Sequence, residues 1–251
     1  MAGAAQRIAI IGAGQAGGQA AYSLRAGGFE GSITLIGDEP APPYQRPPLS
    51  KAYLRGELEA ERLFLKPIEY YAEHDVELVT STAAKSIDLS ARTLALENGR
   101  SLGWDKLVIA TGARPRQLHC PGVALPGVLE LRTLEDVDRL KAVAIAGKRL
   151  VVVGAGYIGL EAAAVGAQLG LQVTVLEAMR QVLGQAGPTQ VRDARIGLAS
   201  DLGMINYDRG LASGAVLRTE GEDVVAAARR LALALDDTYL PVQGPPGSGK
   251  T

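Results

Sequence analysis

An α/β fold of two Rossmann-like units follows from a pattern that this chain contains twice. Two short β-branched runs, Arg7 to Ile11 (RIAII) and Arg149 to Val153 (RLVVV), lead straight into glycine turns of the form G-x-G-x-x-G. Each turn opens a helical stretch, and each helical stretch precedes a second β-branched run, SITLI at Ser32 to Ile36 and QVTVL at Gln172 to Leu176. An acid stands just beyond both second runs. With the two units about 140 residues apart, two dinucleotide sites are expected rather than one.

In chain order, Arg7 to Ile11 is apolar enough for a buried parallel strand. Gln15 to Ala26 carries helical spacing and stops at Gly27 and Gly28, and Ser32 to Ile36 completes the first β-turn-α-β unit. The proline-rich DEPAPPYQRPPLSKAYL that follows is expected to be irregular, with Ser50 as cap of a following helix. Pro67 to His74 predicts a short helix, Val76 to Leu96 a series of strand pieces, and Asn98-Gly99 a hairpin turn. Lys106 to Ala110 (KLVIA) is expected to be another buried strand. Thr133 to Ala142 (TLEDVDRLKA) has a Thr cap and acids in its first turn. The second unit then runs from Arg149 through a helix at Leu160 to Leu169 and on to Gln172 to Leu176. Beyond Pro188 the character changes to an Ala/Leu/Arg-rich helix at Val224 to Leu235 and a strand at Tyr239 to Gln243. The expected organisation is therefore 1–113, 114–187 and an unrelated, mostly helical tail at 188–251.

Composition narrows the function classes. A net charge of −1 and 4% aromatic residues argue against a nucleic-acid surface, and no apolar run is long enough to span a bilayer. The sequence reads as a soluble cytoplasmic protein with neither membrane nor nucleic-acid partner. A single cysteine, Cys120, excludes an intrachain disulfide and a paired-cysteine redox centre, so any electron chemistry must reside in a bound cofactor. No metal-ligand set is read: Cys120 and His119 are adjacent and too few. His74 reads as structural, and Arg229-Arg230 as a solvated helix face.

The glycines have separate duties. Gly12 allows the tight turn, Gly14 lets backbone approach a pyrophosphate, and Gly17 lets helix and strand pack closely. The helix N-terminus adds partial positive charge for the phosphates. Asp38, 26 residues beyond Gly12, is the expected ribose ligand, with Glu39 as rival. In the second turn Gly154, Gly156 and Gly159 repeat the pattern, and Glu177 follows 23 residues after Gly154. A carboxylate there accepts hydrogen bonds from a 2′-hydroxyl and repels a 2′-phosphate, which favours NADH over NADPH; Arg180 nearby moderates that preference.

The strings IAIIGAGQAG, LIGDEPAPPYQRPPLSKAYL, LVIATGARPR, LRTLED and VVVGAGYIGLEAA occur in this order over residues 6–185. Together they resemble the rubredoxin/ferredoxin reductase group of FAD-dependent pyridine-nucleotide oxidoreductases. The resemblance implies FAD on the first unit and NADH on the second, with hydride passing to the flavin and electrons passing on to a ferredoxin or rubredoxin. It implies that Asp38 binds the FAD ribose, that Ala84 contacts the adenine side through backbone, and that Arg132 touches FAD. It further implies that Ala110, Thr111 and Gly112 form the segment linking the domains near the cofactor, and that Lys51 and Glu161 form the catalytic pair. A cation beside the flavin stabilises its reduced anionic form, and a carboxylate offsets the cost of burying that cation. On spacing alone, Lys51 reads as a solvated helix-start residue and Glu161 as an exposed helix acid.

After VTVLEAMRQVLGQAG the family pattern is not continued, so both nucleotide-binding domains are expected to be incomplete. The last thirty or so residues resemble instead the approach to the P-loop of superfamily 1 helicases. They end on GPPGSGKT, in which Gly244, Gly249, Lys250 and Thr251 match G-x-x-x-x-G-K-[ST]. No helix follows Thr251 in the sequence, and Lys250 and Thr251 are expected not to support ATP hydrolysis. Two readings stand beside the reductase: a nucleotide-binding fragment without catalysis, and a P-loop NTPase or helicase fragment.

Overall fold

The computed structural model describes residues 6–118, 120–177 and 238–242, the last by backbone alone. The chain divides into two compact units. One comprises the described residues to Arg46 together with Leu58–Ala113; the other comprises Pro47–Glu57 together with the residues from Arg114 onward.

In the first unit β1 (Arg7–Ile11) leads into α1 (Gln15–Ala26), β2 (Ser32–Ile36), α2 (Ile68–Glu73) and β3 (Val76–Val79). Next come β4 (Ala84–Asp88), β5 (Thr93–Leu96), β6 (Ser101–Gly103) and β7 (Lys106–Ile109). The parallel sheet has the order β3-β2-β1-β7, and β4-β5-β6 form a separate antiparallel sheet. Because successive strand residues face opposite ways, β1 feeds two cores. Ile8 and Ile10 pack with Ala21, Leu35, Tyr71 and Val76, whereas Ala9 and Ile11 pack with Leu94, Leu96 and Trp104. The parallel sheet is thus filled on both faces, as its almost unbroken apolar strands require. Asn98-Gly99 turns the β5-β6 hairpin, with Gly99 at φ +86°.

The second unit contains β8 (Val128–Glu130), α3 (Leu134–Val143), β9 (Arg149–Val153), α4 (Tyr157–Gln168), β10 (Gln172–Leu176) and β11 (Thr238–Val242). Its sheet is parallel in the order β10-β9-β11-β8. Thr133 caps α3 in a capping box: its hydroxyl accepts from the Asp136 backbone N–H, and Asp136 accepts from the Thr133 N–H. Leu150, Val152, Ala163 and Leu171 form the core beneath α4.

Several expectations change. The strand at Lys106–Ile109 is not buried: Ile109 is 64% exposed, because β7 is the last strand of its sheet. The second glycine-turn helix starts at Tyr157 rather than Leu160. Ser50 does not cap a following helix; it closes a 3-10 turn, Pro47–Ser50, and the chain continues through turns. The expected first segment, 1–113, loses Pro47–Glu57 to the second unit. The strand expected at Tyr239 to Gln243 is β11, and it lies between β9 and β8, so this part of the expected unrelated tail is built into the second sheet. The expected helix at Val224 to Leu235, His119, Arg180 and Arg229-Arg230 lie outside the described residues, as does the P-loop string with Gly244, Gly249, Lys250 and Thr251.

Candidate functional site

Two nucleotide cradles are visible, one in each unit. In the first, the Gly12 N–H donates to the Ile36 carbonyl at 2.8 Å, tying the turn to the end of β2. Gly12 has φ +106°, and a Cβ there would stand 2.2 Å from the Ala110 carbonyl oxygen, so only glycine fits. A Cβ on Gly17 would stand 1.9 Å from the Gly12 carbonyl oxygen, which explains how α1 lies so close to the turn. Gly14 is different. It is the N-cap of α1, no side chain caps it, and a Cβ there would meet nothing within 4 Å. The uncapped N-terminus of α1 therefore opens at Gly14 onto space that no neighbouring atom fills. That is the shape and the electrostatics a pyrophosphate requires, and the residues present fit a dinucleotide.

Ala110 donates its N–H to Ile11 at 2.7 Å, which sets Ala110, Thr111 and Gly112 beside the glycine turn; Gly112 has φ +68°. Asp38 is exposed, two residues past β2, and its side chain makes no hydrogen bond among the described residues. Its rival Glu39 is engaged: the carboxylate accepts from the Tyr44 hydroxyl and pairs with Arg46, whose guanidinium also lies 5.0 Å from the Tyr44 ring centroid. Tyr44 is 2% exposed, so Glu39 is built into local structure and Asp38 is left facing water. Ala84 opens β4 at a shift in strand register and packs against the cluster around Trp104.

The second cradle repeats the first. Gly154 has φ +103° and donates its N–H to Leu176 at 2.8 Å, and Gly156 is an N-cap without a side-chain partner. Gly159 is buried within the first turn of α4. Glu177 stands at the end of β10, where its Oε2 accepts the Ala155 N–H at 2.7 Å. This bond fixes the carboxylate at the rim of the turn, where a ribose would lie, so these residues too fit a dinucleotide.

The same unit also contains the Lys51–Glu161 pair. Lys51 Nζ stands 2.7 Å from Glu161 Oε1, and the Ser50 hydroxyl donates to Glu161 Oε2 at 2.6 Å. Tyr53 donates to Asp138 at 2.7 Å, and Lys141 stacks over the Tyr53 ring at 4.3 Å. These bonds bind Pro47–Glu57 to α3 and α4, which explains why the segment groups with the second unit. Lys51 is exposed, as the solvated reading has it, but its ammonium is paired, and Glu161 is half-buried rather than exposed. Ser50 was missed as a site residue because an N-cap is the commonest reason for a serine before a helical pattern. Arg132 precedes α3 and donates its N–H to Asp136 at 3.0 Å. His74 stacks on Tyr70 at 3.8 Å and its Nδ1 lies 2.8 Å from the Tyr70 carbonyl oxygen, a local structural arrangement.

Comparison with known proteins places these cradles in a family. The profile of the pyridine nucleotide-disulphide oxidoreductases matches residues 6–203, and the chain belongs to that family. It is 48% identical over 179 residues to rhodocoxin reductase of Rhodococcus erythropolis, covering 71% of this chain and 42% of that protein. It is 42% identical over 239 residues to the probable ferredoxin reductase CtmF of Castellaniella defragrans, covering 94% of this chain and 56% of that protein. Among solved structures, the covalent putidaredoxin reductase–putidaredoxin complex matches with a TM-score of 0.72 at 38% identity, over 79% of this chain and 49% of that one. The chain spans about half the length of the curated relatives it matches. The family match runs past residue 187, and the matches give the helicase-like reading of the last residues no support.

Proposed function

We propose that this member of the pyridine nucleotide-disulphide oxidoreductase family carries the FAD- and NADH-binding units of a reductase that serves a small iron–sulfur protein of the ferredoxin or rubredoxin type. The observation that carries the reading is the repetition, in two separate units, of a strand, a glycine turn and an uncapped helix N-terminus. The names of the relatives, which are reductases of rhodocoxin, ferredoxin and putidaredoxin, support the choice of acceptor class.

In this reading the N–H groups behind Gly14 bind the FAD pyrophosphate and Asp38 binds its ribose, since Glu39 is already committed to Tyr44 and Arg46. Ala84, Ala110, Thr111, Gly112 and Arg132 contact the same cofactor. The N–H groups behind Gly156 bind the pyrophosphate of NADH, and Glu177 accepts its 2′-hydroxyl. Lys51 and Glu161 form the candidate catalytic pair. Glu161 holds the ammonium of Lys51 in place, and Lys51 supplies a positive charge to electron density gathered on the reduced cofactor. Bound there, FAD would supply the acceptor for a hydride from the reduced nicotinamide and the means to release electrons singly.

The test is a visible absorption spectrum of the purified chain, with and without added FAD, before and after anaerobic NADH. A flavin spectrum that bleaches with NADH supports both sites. Protein that remains colourless after FAD is added refutes the reading in favour of a fragment without redox function.

A further inference from the structure

We infer that Ser50 is a positioning residue for the candidate catalytic pair: its hydroxyl fixes the Glu161 carboxylate, and the fixed carboxylate in turn holds the Lys51 ammonium. The inference rests on the proposed roles of Lys51 and Glu161.

The three side chains differ in how much freedom they bring. The Lys51 side chain is 49% exposed and that of Glu161 is 23% exposed, so their ion pair is partly solvated and joins two long, flexible groups. Such a pair gains little by itself, because screening and lost side-chain freedom offset most of the attraction. Ser50 is 3% exposed, has one rotatable bond to its hydroxyl carbon, and closes the turn Pro47–Ser50, in which two prolines restrict the backbone. A buried hydroxyl donating to a carboxylate at 2.6 Å is a charge-assisted hydrogen bond, stronger than a neutral one.

The division of the carboxylate follows from this. Oε2 is taken by a rigid donor on the buried side, and Oε1 is turned toward Lys51 at 2.7 Å. A hydroxyl adds no charge, so it orients the carboxylate without competing with the ammonium for it. If Ser50 gave up this bond, Glu161 would keep its charge but lose its direction, and the long Lys51 side chain would have no fixed target.

The experiment reads the pair without any cofactor. The chain is treated briefly with an N-hydroxysuccinimide acetate reagent, and acylation of Lys51 is quantified by mass spectrometry against the other lysines. Glu161→Gln is expected to raise Lys51 labelling about threefold, the scale of a partly exposed ion pair. Ser50→Ala is expected to raise it by a similar factor, Ser50→Thr to leave it near the starting rate, and the Ser50→Ala/Glu161→Gln chain to label no faster than Glu161→Gln alone. Ser50→Cys, nearly the same size but a weak donor, is expected to fall between and serves if the alanine variant does not fold. Labelling of Ser50→Ala or Ser50→Cys at the starting rate while Glu161→Gln is raised would overturn the inference. So would effects that multiply in the double variant, or no rise in any variant. In the FAD-loaded chain, Ser50→Ala should move the flavin reduction potential in the same direction as Glu161→Gln. A chain that takes up no flavin refutes the proposed function, whereas the labelling result still decides the role of Ser50.

Discussion

The two glycine turns have the same motif, and the same backbone bond ties each to its second strand, yet they differ at the residue that follows that strand. Ile11 pairs with Ile36 in the first unit and Val153 with Leu176 in the second, so Gly37 and Glu177 occupy equivalent places. Glu177 reaches back to the Ala155 N–H. Gly37 has no side chain to do so, and a Cβ there would stand 2.5 Å from the Cβ of Ala13, the counterpart of Ala155. The first turn is thus closed by packing and its acid stands one residue further out. The second is closed by a hydrogen bond that the acid itself accepts from the Ala155 N–H. In the proposed reading the shared motif meets the phosphate end of a nucleotide, and the residue after the second strand decides how the ribose end is met.

The largest expected effect separates folding from binding within the first turn. Gly17→Ala drives a Cβ into the Gly12 carbonyl and should cost about 3 kcal/mol, read as a lowered urea midpoint. Gly14→Ala meets nothing and should cost under about 1 kcal/mol, yet should weaken FAD binding at least about tenfold, because the methyl occupies the approach of the pyrophosphate. Equal flavin affinity in Gly14→Ala and the parent chain would remove the first cradle from the proposal.

The second unit allows the same separation through Glu177. Glu177→Ala leaves the buried Ala155 N–H without its partner and should lower stability by about 1–2 kcal/mol. It should also raise the ratio of NADPH to NADH activity about tenfold by removing the carboxylate proposed to meet the ribose. Glu177→Gln retains an acceptor for Ala155, so its stability should stay near that of the parent while the nucleotide preference still moves. A preference unchanged in both variants would mean that Glu177 only closes the turn.

The first unit provides the mirror test with a smaller effect. Glu39→Gln should cost about 1 kcal/mol by loosening Arg46 and leave flavin affinity nearly intact. Asp38→Asn should leave stability within about 0.5 kcal/mol and weaken FAD. Titration of each variant with FAD by fluorescence quenching, beside urea unfolding, checks the assignment, and the reverse pattern would give the ribose to Glu39.

Most of the first unit was legible because its signals are local. RIAII, the glycine turn and SITLI specify strand, turn and strand within thirty residues, and Thr133 with Asp136 specifies the start of α3 within four. What escaped were contacts between distant positions. Ser50 and Glu161 are 111 residues apart, and no periodicity in either segment reports that they meet. The resemblance supplied the Lys51–Glu161 pair, but not the serine beside it. Likewise KLVIA predicts a buried strand from composition, whereas its place at the sheet margin is a property of topology.

The smallest expected effect concerns the cores beneath the two turns. The cluster under α4 is wholly apolar, while the cluster under α1 and α2 includes Tyr71, 3% exposed, whose buried hydroxyl has no hydrogen-bond partner among the described residues. Burial, together with neighbouring Tyr70, pushes the Tyr71 phenol up from its usual value of 10.0 to about 12. A raised value means that the folded chain favours the protonated phenol. The associated stability is complete below pH 10 and is lost as the pH rises toward 12. Tyr71→Phe should therefore leave stability at pH 7 unchanged or raise it by up to about 1 kcal/mol, since it removes a buried polar atom that pairs with none of the described residues. It should also flatten the alkaline loss between pH 10 and 12. Thermal unfolding of parent and variant across that range is the check. A variant clearly less stable at pH 7 would show that the hydroxyl has a partner in solution, and the two cores would then be closer in kind than their residues suggest.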